Sequence, residues 1–178
     1  MFRGVASRGY TLIEVLVTVA IMGIAGSVVI PSMSGAGILR IQAGVRTVVS
    51  DIMFAQMDAL AYQESRGIVF DVENNAYTLV AVFGAEINPE TDALYDPRGP
   101  GQRYVVDLDD FDFGGAVLAE IDLNGGDVLI FDEIGGPVAT AGGDELSSGG
   151  SVQLSGPQGR FRIDIAAFSG RVTVRRLD

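Results

Sequence analysis

Hydrophobic positions change their rhythm twice along this chain. From Tyr10 to Ile30 they run almost unbroken (YTLIEVLVTVAIMGIAGSVVI), and Glu14 is the one charged residue among them. At 1.5 Å rise per residue such a segment makes a helix of about 31 Å, against roughly 30 Å for a bilayer core. From Ile38 to about Tyr62 the rhythm becomes helical. Ile38, Ile41, Val45, Val48, Ile52, Ala55 and Ala59 recur at three- and four-residue steps. This is one face of an amphipathic helix, ending by Gly67 and packed on a sheet of its own chain. Arg40, Gln42, Arg46, Asp51, Asp58 and Gln63 fall largely on its other faces.

Beyond Gly67 the pattern is that of strands. Gly67–Val72 and Ala76–Phe83 are β-branched and aromatic, and Glu73-Asn74-Asn75 between them predicts a hairpin turn. Residues 84–103 hold three of the six prolines, Asn88 and several charges, which predicts a long exposed loop. Shorter strands are predicted at 104–108, 116–123, 128–132, 151–155, 160–167 and 171–176, separated by glycine pairs. Strands so closely spaced must pair mainly antiparallel, because parallel crossovers need a dozen or more residues. The expectation is an α+β fold, one domain in 178 residues, with a long N-terminal helix packed on antiparallel β-sheets. That helix has a transmembrane half and an amphipathic half.

Arg3 and Arg8 precede the apolar segment and no acidic residue does, so the positive-inside rule puts the short leader in the cytoplasm and the rest across the membrane. A plain anchor and a cleaved secretory signal are two readings of the segment. The signal reading needs a 7–15-residue apolar stretch, and this one is longer and carries a carboxylate. A Glu in an apolar helix costs about 2.5–3.5 kcal/mol on insertion scales, which calls for a partner or a function. Pro31 removes a backbone donor and crowds the preceding turn, predicting a kink or opening there, with Gly35 and Gly37 loosening the same stretch.

Arg8-Gly9-Tyr10-Thr11-Leu12-Ile13-Glu14 resembles the processing motif of type IV pilins and their relatives. The resemblance implies that a prepilin peptidase cuts after Gly9 and methylates the new amine of Tyr10, where the family usually has Phe. It makes Glu14 the fifth residue of the mature chain and Pro31 the helix-kinking proline. The implied division is a leader over 1–9, a transmembrane and assembly helix over 10–31, an amphipathic helix over 32–66 and an antiparallel β domain over 67–178. Once cut, the chain begins with a charged amine in apolar surroundings, and a buried charge needs a counter-charge. Glu14 of one subunit meeting the Tyr10 amine of its neighbour would set the axial register of a filament.

Three later stretches are similar to minor pilins and pseudopilins of the GspH/FimT type: Ala55–Val72, Val128–Asp132 followed by Gly135, and Phe168–Val174. That likeness implies a low-copy subunit at or near the tip of a type II secretion pseudopilus or a type IV pilus. The implied partners are prepilin peptidase, other pilin or pseudopilin subunits and the inner-membrane assembly platform. The implied location is a single pass through the inner membrane with the C-terminal domain in the periplasm, followed by the filament.

Composition narrows the chemistry. With no His, Cys or Lys, the chain lacks Ser–His–Asp triads, cysteine nucleophiles, disulfides and zinc sites built on His or Cys. No catalytic residue and no cofactor are expected, and a membrane-tethered enzyme with a carboxylate pair has no motif behind it. Asp107, Asp109, Asp110 and Asp112 (VVDLDDFDFGG) are calcium candidates, but they do not match the twelve-residue calcium loop. The plainer reading is a half-buried strand with a charged edge. Arg160, Arg162, Arg171, Arg175 and Arg176 form a basic C-terminus that would suit a DNA-uptake pilin. The net charge of −11 opposes that alternative, so a nucleic-acid partner is not expected.

Overall fold

The computed structural model describes residues 10–34, 36–110, 113, 115–157 and 159–177, with the side chains of 26–38 not described. It divides into two compact units, Met1–Ala36 and Gly37–Asp178. In the first, helix α1 runs from Leu12 to Ser34. The backbone is helical through Pro31, an assignment that a proline kink leaves intact because it removes a single backbone hydrogen bond. Helix α2 (Ala36–Tyr62) begins after Ser34, next to the glycines.

In the second unit the stripe read from the sequence is the buried face of α2: Ile41, Val48, Ile52, Ala55 and Ala59 are fully buried and Val45 nearly so. The helix closes with Gln63 in the left-handed region (φ 54°), and the Glu64 N–H donates to the Ala59 carbonyl at 3.3 Å. That bond caps a free carbonyl of the last turn, with Gln in the place glycine usually takes.

The strands are β1 (Arg66–Asp71), β2 (Ala76–Ala81), β3 (Val105–Asp107), β4 (Val117–Leu123), β5 (Val128–Phe131), β6 (Pro137–Val138), β7 (Gly150–Gly156), β8 (Gly159–Ile165) and β9 (Val172–Leu177). They form two antiparallel sheets, ordered β3-β2-β1-β5-β6 and β4-β7-β8-β9. The predicted hairpin is β1–β2, with Phe70 opposite Tyr77. Both sheets and α2 share one core, which includes Ile52, Phe70, Leu79, Phe131, Leu154 and Ile163. The outer face of the first sheet carries a small second cluster of Val80, Val82, Ile130 and Val138.

The loop after β2 is exposed as its prolines suggested, with no buried residue between 84 and 103, but it is hydrogen-bonded to the sheet. The Leu94 N–H donates to the Leu79 carbonyl at 2.8 Å and the Tyr104 N–H to the Leu94 carbonyl at 2.7 Å, so the chain returns along β2. Asn75, at the hairpin turn, joins the two sheets. Its amide donates to Asp109 Oδ1 (2.6 Å) and the Ala116 carbonyl (2.9 Å), and its oxygen accepts from the Leu118 N–H (2.9 Å).

Candidate assembly site

At the start of α1 the Glu14 N–H donates to the Thr11 carbonyl (3.1 Å) and to Thr11 Oγ1 (3.3 Å). Thr11 therefore caps the helix and Glu14 lies in the first turn, where the helix dipole favours a carboxylate. Thr-x-x-Glu is a capping signature, so the same Glu that breaks the apolar run also helps define where the helix starts. Tyr10, Leu12, Ile13, Leu16, Val19, Ile21, Met22 and Ile24 are all exposed, leaving α1 apolar on every described side. Such a helix is at home in lipid or among other helices. Among the described residues no helix is long and apolar enough to cross a membrane. The 10–30 window of the sequence extends past residue 25, the last before side chains cease to be described. Among those residues no cation pairs with Glu14. Gly9 and the side chain of Pro31 lie outside the described residues.

Of the acidic candidates at and beyond the end of β3, Asp107 and Asp109 have their carboxylates engaged in local structure, and Asp110 its backbone carbonyl. Asp107 Oδ1 accepts from the Asp109 N–H at 2.8 Å, Asp109 Oδ1 accepts from Asn75, and the Asp110 carbonyl accepts from the Phe113 N–H at 3.0 Å. Asp112 lies outside the described residues, and among the described ones no three acidic side chains gather to hold a metal. In the C-terminal cluster, Asp164 takes ion pairs from Arg162 and Arg175, each at 2.9 Å.

Two charged residues lie where the sequence pattern did not put them. Asp51, read as lying largely off the apolar stripe of α2, is buried. Its carboxylate accepts from the Tyr77 hydroxyl (2.5 Å) and the Tyr104 hydroxyl (2.9 Å). Burial pushes the Asp51 carboxyl above its ordinary range, and the two tyrosine hydrogen bonds only partly offset this. Burial, then the Asp51 charge, pushes both tyrosine hydroxyls up. Arg66, at the start of β1, is also buried, paired with Asp58 at 2.6 Å and Glu64 at 3.0 Å. The clue to both was chemical: a carboxylate on a helix facing a tyrosine-bearing strand, and an Arg beside two acids.

The comparisons with known proteins bear on the N-terminal segment first. Residues 5–30 match the prokaryotic N-terminal methylation motif. This methylation motif spans Gly9, Tyr10 and Glu14, the residues singled out by their spacing, and ends one residue before Pro31. No curated protein matches the chain. Among solved structures, the minor pseudopilin EpsH from the type 2 secretion system of Vibrio cholerae is similar, with 11% identity and a TM-score of 0.49. The match covers 78% of this chain and 96% of that one. The N-terminal cap of α1, Thr11 with Glu14, lies within the methylation motif.

Proposed function

We propose that this chain is a minor subunit of a type II secretion pseudopilus or type IV pilus, processed by prepilin peptidase and assembled through α1. The observation that carries the reading is the methylation motif over residues 5–30, with Glu14 the single charge in the apolar stretch that follows Gly9. Hydrolysis of the Gly9–Tyr10 bond frees an amine four residues before Glu14, and N-methylation leaves that amine protonated. In an apolar assembly the amine of one subunit is neutralised by Glu14 of the next, because an unpaired charge in such surroundings costs several kcal/mol. The proposed location is the inner membrane, with the Gly37–Asp178 unit in the periplasm, and then the filament. The proposed partners are other pilin or pseudopilin subunits and the inner-membrane assembly platform.

The minor-subunit form of the reading is supported by the stretches at 55–72, 128–135 and 168–174. It assigns the chain a structural role with no catalytic step and no cofactor.

The absence of native cysteine makes a direct test clean. Leu16→Cys in α1, paired with a single cysteine in the N-terminal helix of a co-expressed pilin subunit, should give an oxidation-dependent heterodimer in membranes. The same pairing with Phe83→Cys, on the β domain, should not. Equal yields at both positions, or cross-linking in neither, would contradict assembly through α1.

A further inference from the structure

Among the described residues of the Gly37–Asp178 unit the two sheets have four edges, of which three are protected against a further strand and the fourth is open. β3 offers three residues and β6 two, the first of them Pro137. β4 is irregular, with a register shift between Leu118 and Glu120, and it carries the acidic Glu120 and Asp122. Shortness, proline, bulges and charge are the usual protections of an exposed edge. β9 carries charge too, in Arg175 and Arg176, which disfavours a basic newcomer, but it is neither short nor broken: it pairs with β8 over six residues without a register shift. Among the described residues it pairs with no other strand.

Beside this edge an apolar groove of about 520 Å³ opens between the second sheet and α2. Val45, Val49 and Met53 line it from the helix, Phe161 and Val174 from the sheet, and Arg46 also faces it. Met53 is 51% exposed and Val174 42%. The register puts Val172, Val174 and Arg176 in one row with Ile165, Ile163 and Phe161, whose side chains are buried. Side chains alternate along a strand, so a strand added to β9 continues that row and sends every second side chain into the groove.

Charge selects the newcomer. Between 159 and 177 there are five Arg and one Asp, and Asp164 already serves both Arg162 and Arg175. Like charges opposite each other disfavour pairing of two β9 edges from two copies, whereas an acidic strand is attracted. We propose that the edge of β9 and the adjoining groove form a strand-addition site for an extended acidic segment of a partner protein, apolar at alternate positions. The backbone edge supplies affinity, the groove reads the apolar positions, and the acidic side chains fall on the opposite face of the sheet, where Arg162 and Arg175 stand side by side. The inference stands apart from assembly through α1, since it uses only residues of the second unit.

The test titrates the full chain in detergent micelles with a labelled peptide that alternates valine and aspartate. Comparators are a valine–lysine peptide, an aspartate peptide with proline at alternate valines, and duplex DNA. The acidic peptide should bind saturably and slow hydrogen exchange of the β9 amides. Val174→Asp and Met53→Asp should each weaken it roughly tenfold while thermal melts stay within a few degrees of wild type, because both positions are exposed. Lysine and proline peptides should bind at least tenfold more weakly. No binding, equal binding of the three peptides, or indifference to both substitutions would overturn the site. So would tighter protection of β9 by DNA than by the acidic peptide, or a β9-mediated dimer of the chain itself in sedimentation.

Discussion

Asp51 and Glu14 are both acids in apolar settings, and they differ in where their partners lie. Asp51 has its partners within the fold, the hydroxyls of Tyr77 and Tyr104. Its pKa is raised above 3.8, chiefly by burial, so the folded state holds that proton more tightly than the unfolded chain does. Its contribution to stability therefore increases as pH falls from neutral through the raised value, and levels off below 3.8. Asp51→Asn removes this dependence while keeping an acceptor for a tyrosine. Measured by thermal melts, the stability of Asp51→Asn relative to wild type should be highest at pH 7 and should decline toward pH 4. A difference that stays constant over that range would show that Asp51 carries no such linkage. Glu14 has no cationic partner among the described residues, and its proposed partner is another subunit's amine. Glu14→Ala should leave cleavage and membrane insertion intact but reduce recovery with neighbouring subunits in a pulldown several-fold. Recovery equal to wild type would remove the pairing role.

Helix α2 shows at the level of an element what periodicity can and cannot convey. Its stripe from Ile41 to Ala59 is buried as read, and Ile52 is in contact with no solvent. Ile52→Ala should cost about 2–5 kcal/mol in the Gly37–Asp178 unit. Met57→Ala, on the exposed face, should stay within about 0.5 kcal/mol. Denaturant titration checks both, and equal losses would mean that α2 is not held by this face. The positions of β1, β2, β3, β4, β5, β7, β8 and β9 were legible because each is a run of β-branched, aromatic or alternating residues set off by glycine, proline or a turn. β6 was not, since two residues beginning with proline form no pattern. Nor was the return of residues 92–96 along β2, which is made by single bridges such as Val80 with Ala93. The division into two sheets was equally hidden. β1 pairs with β5 across a long stretch of intervening chain, and a register such as Ile68 opposite Leu129 is set by packing. The burial of Asp51 was hidden for the same reason: it stands off the apolar stripe, and its partners are tyrosines on β2 and just before β3.

At the scale of the whole molecule the two units divide the work. The first is an apolar helix with a capped, acid-bearing start; the second has a core of its own and carries nearly all of the charge. An assembly role would account for the exposed apolar side chains of α1 among the described residues, for the methylation motif at its start, and for the carboxylate of Glu14 there. The methylation motif was legible without tertiary structure, because it is a short linear segment recognised by its spacing. The β9 edge, by contrast, could be recognised only once strand order was known. The central claim is that processing creates a modified N-terminus at Tyr10. Intact-mass and N-terminal fragment mass spectrometry of the membrane-extracted protein tests it most directly. The account predicts a mature chain beginning at Tyr10 with a methylated amine; a chain that keeps Met1, or one cut beyond residue 31, would contradict it.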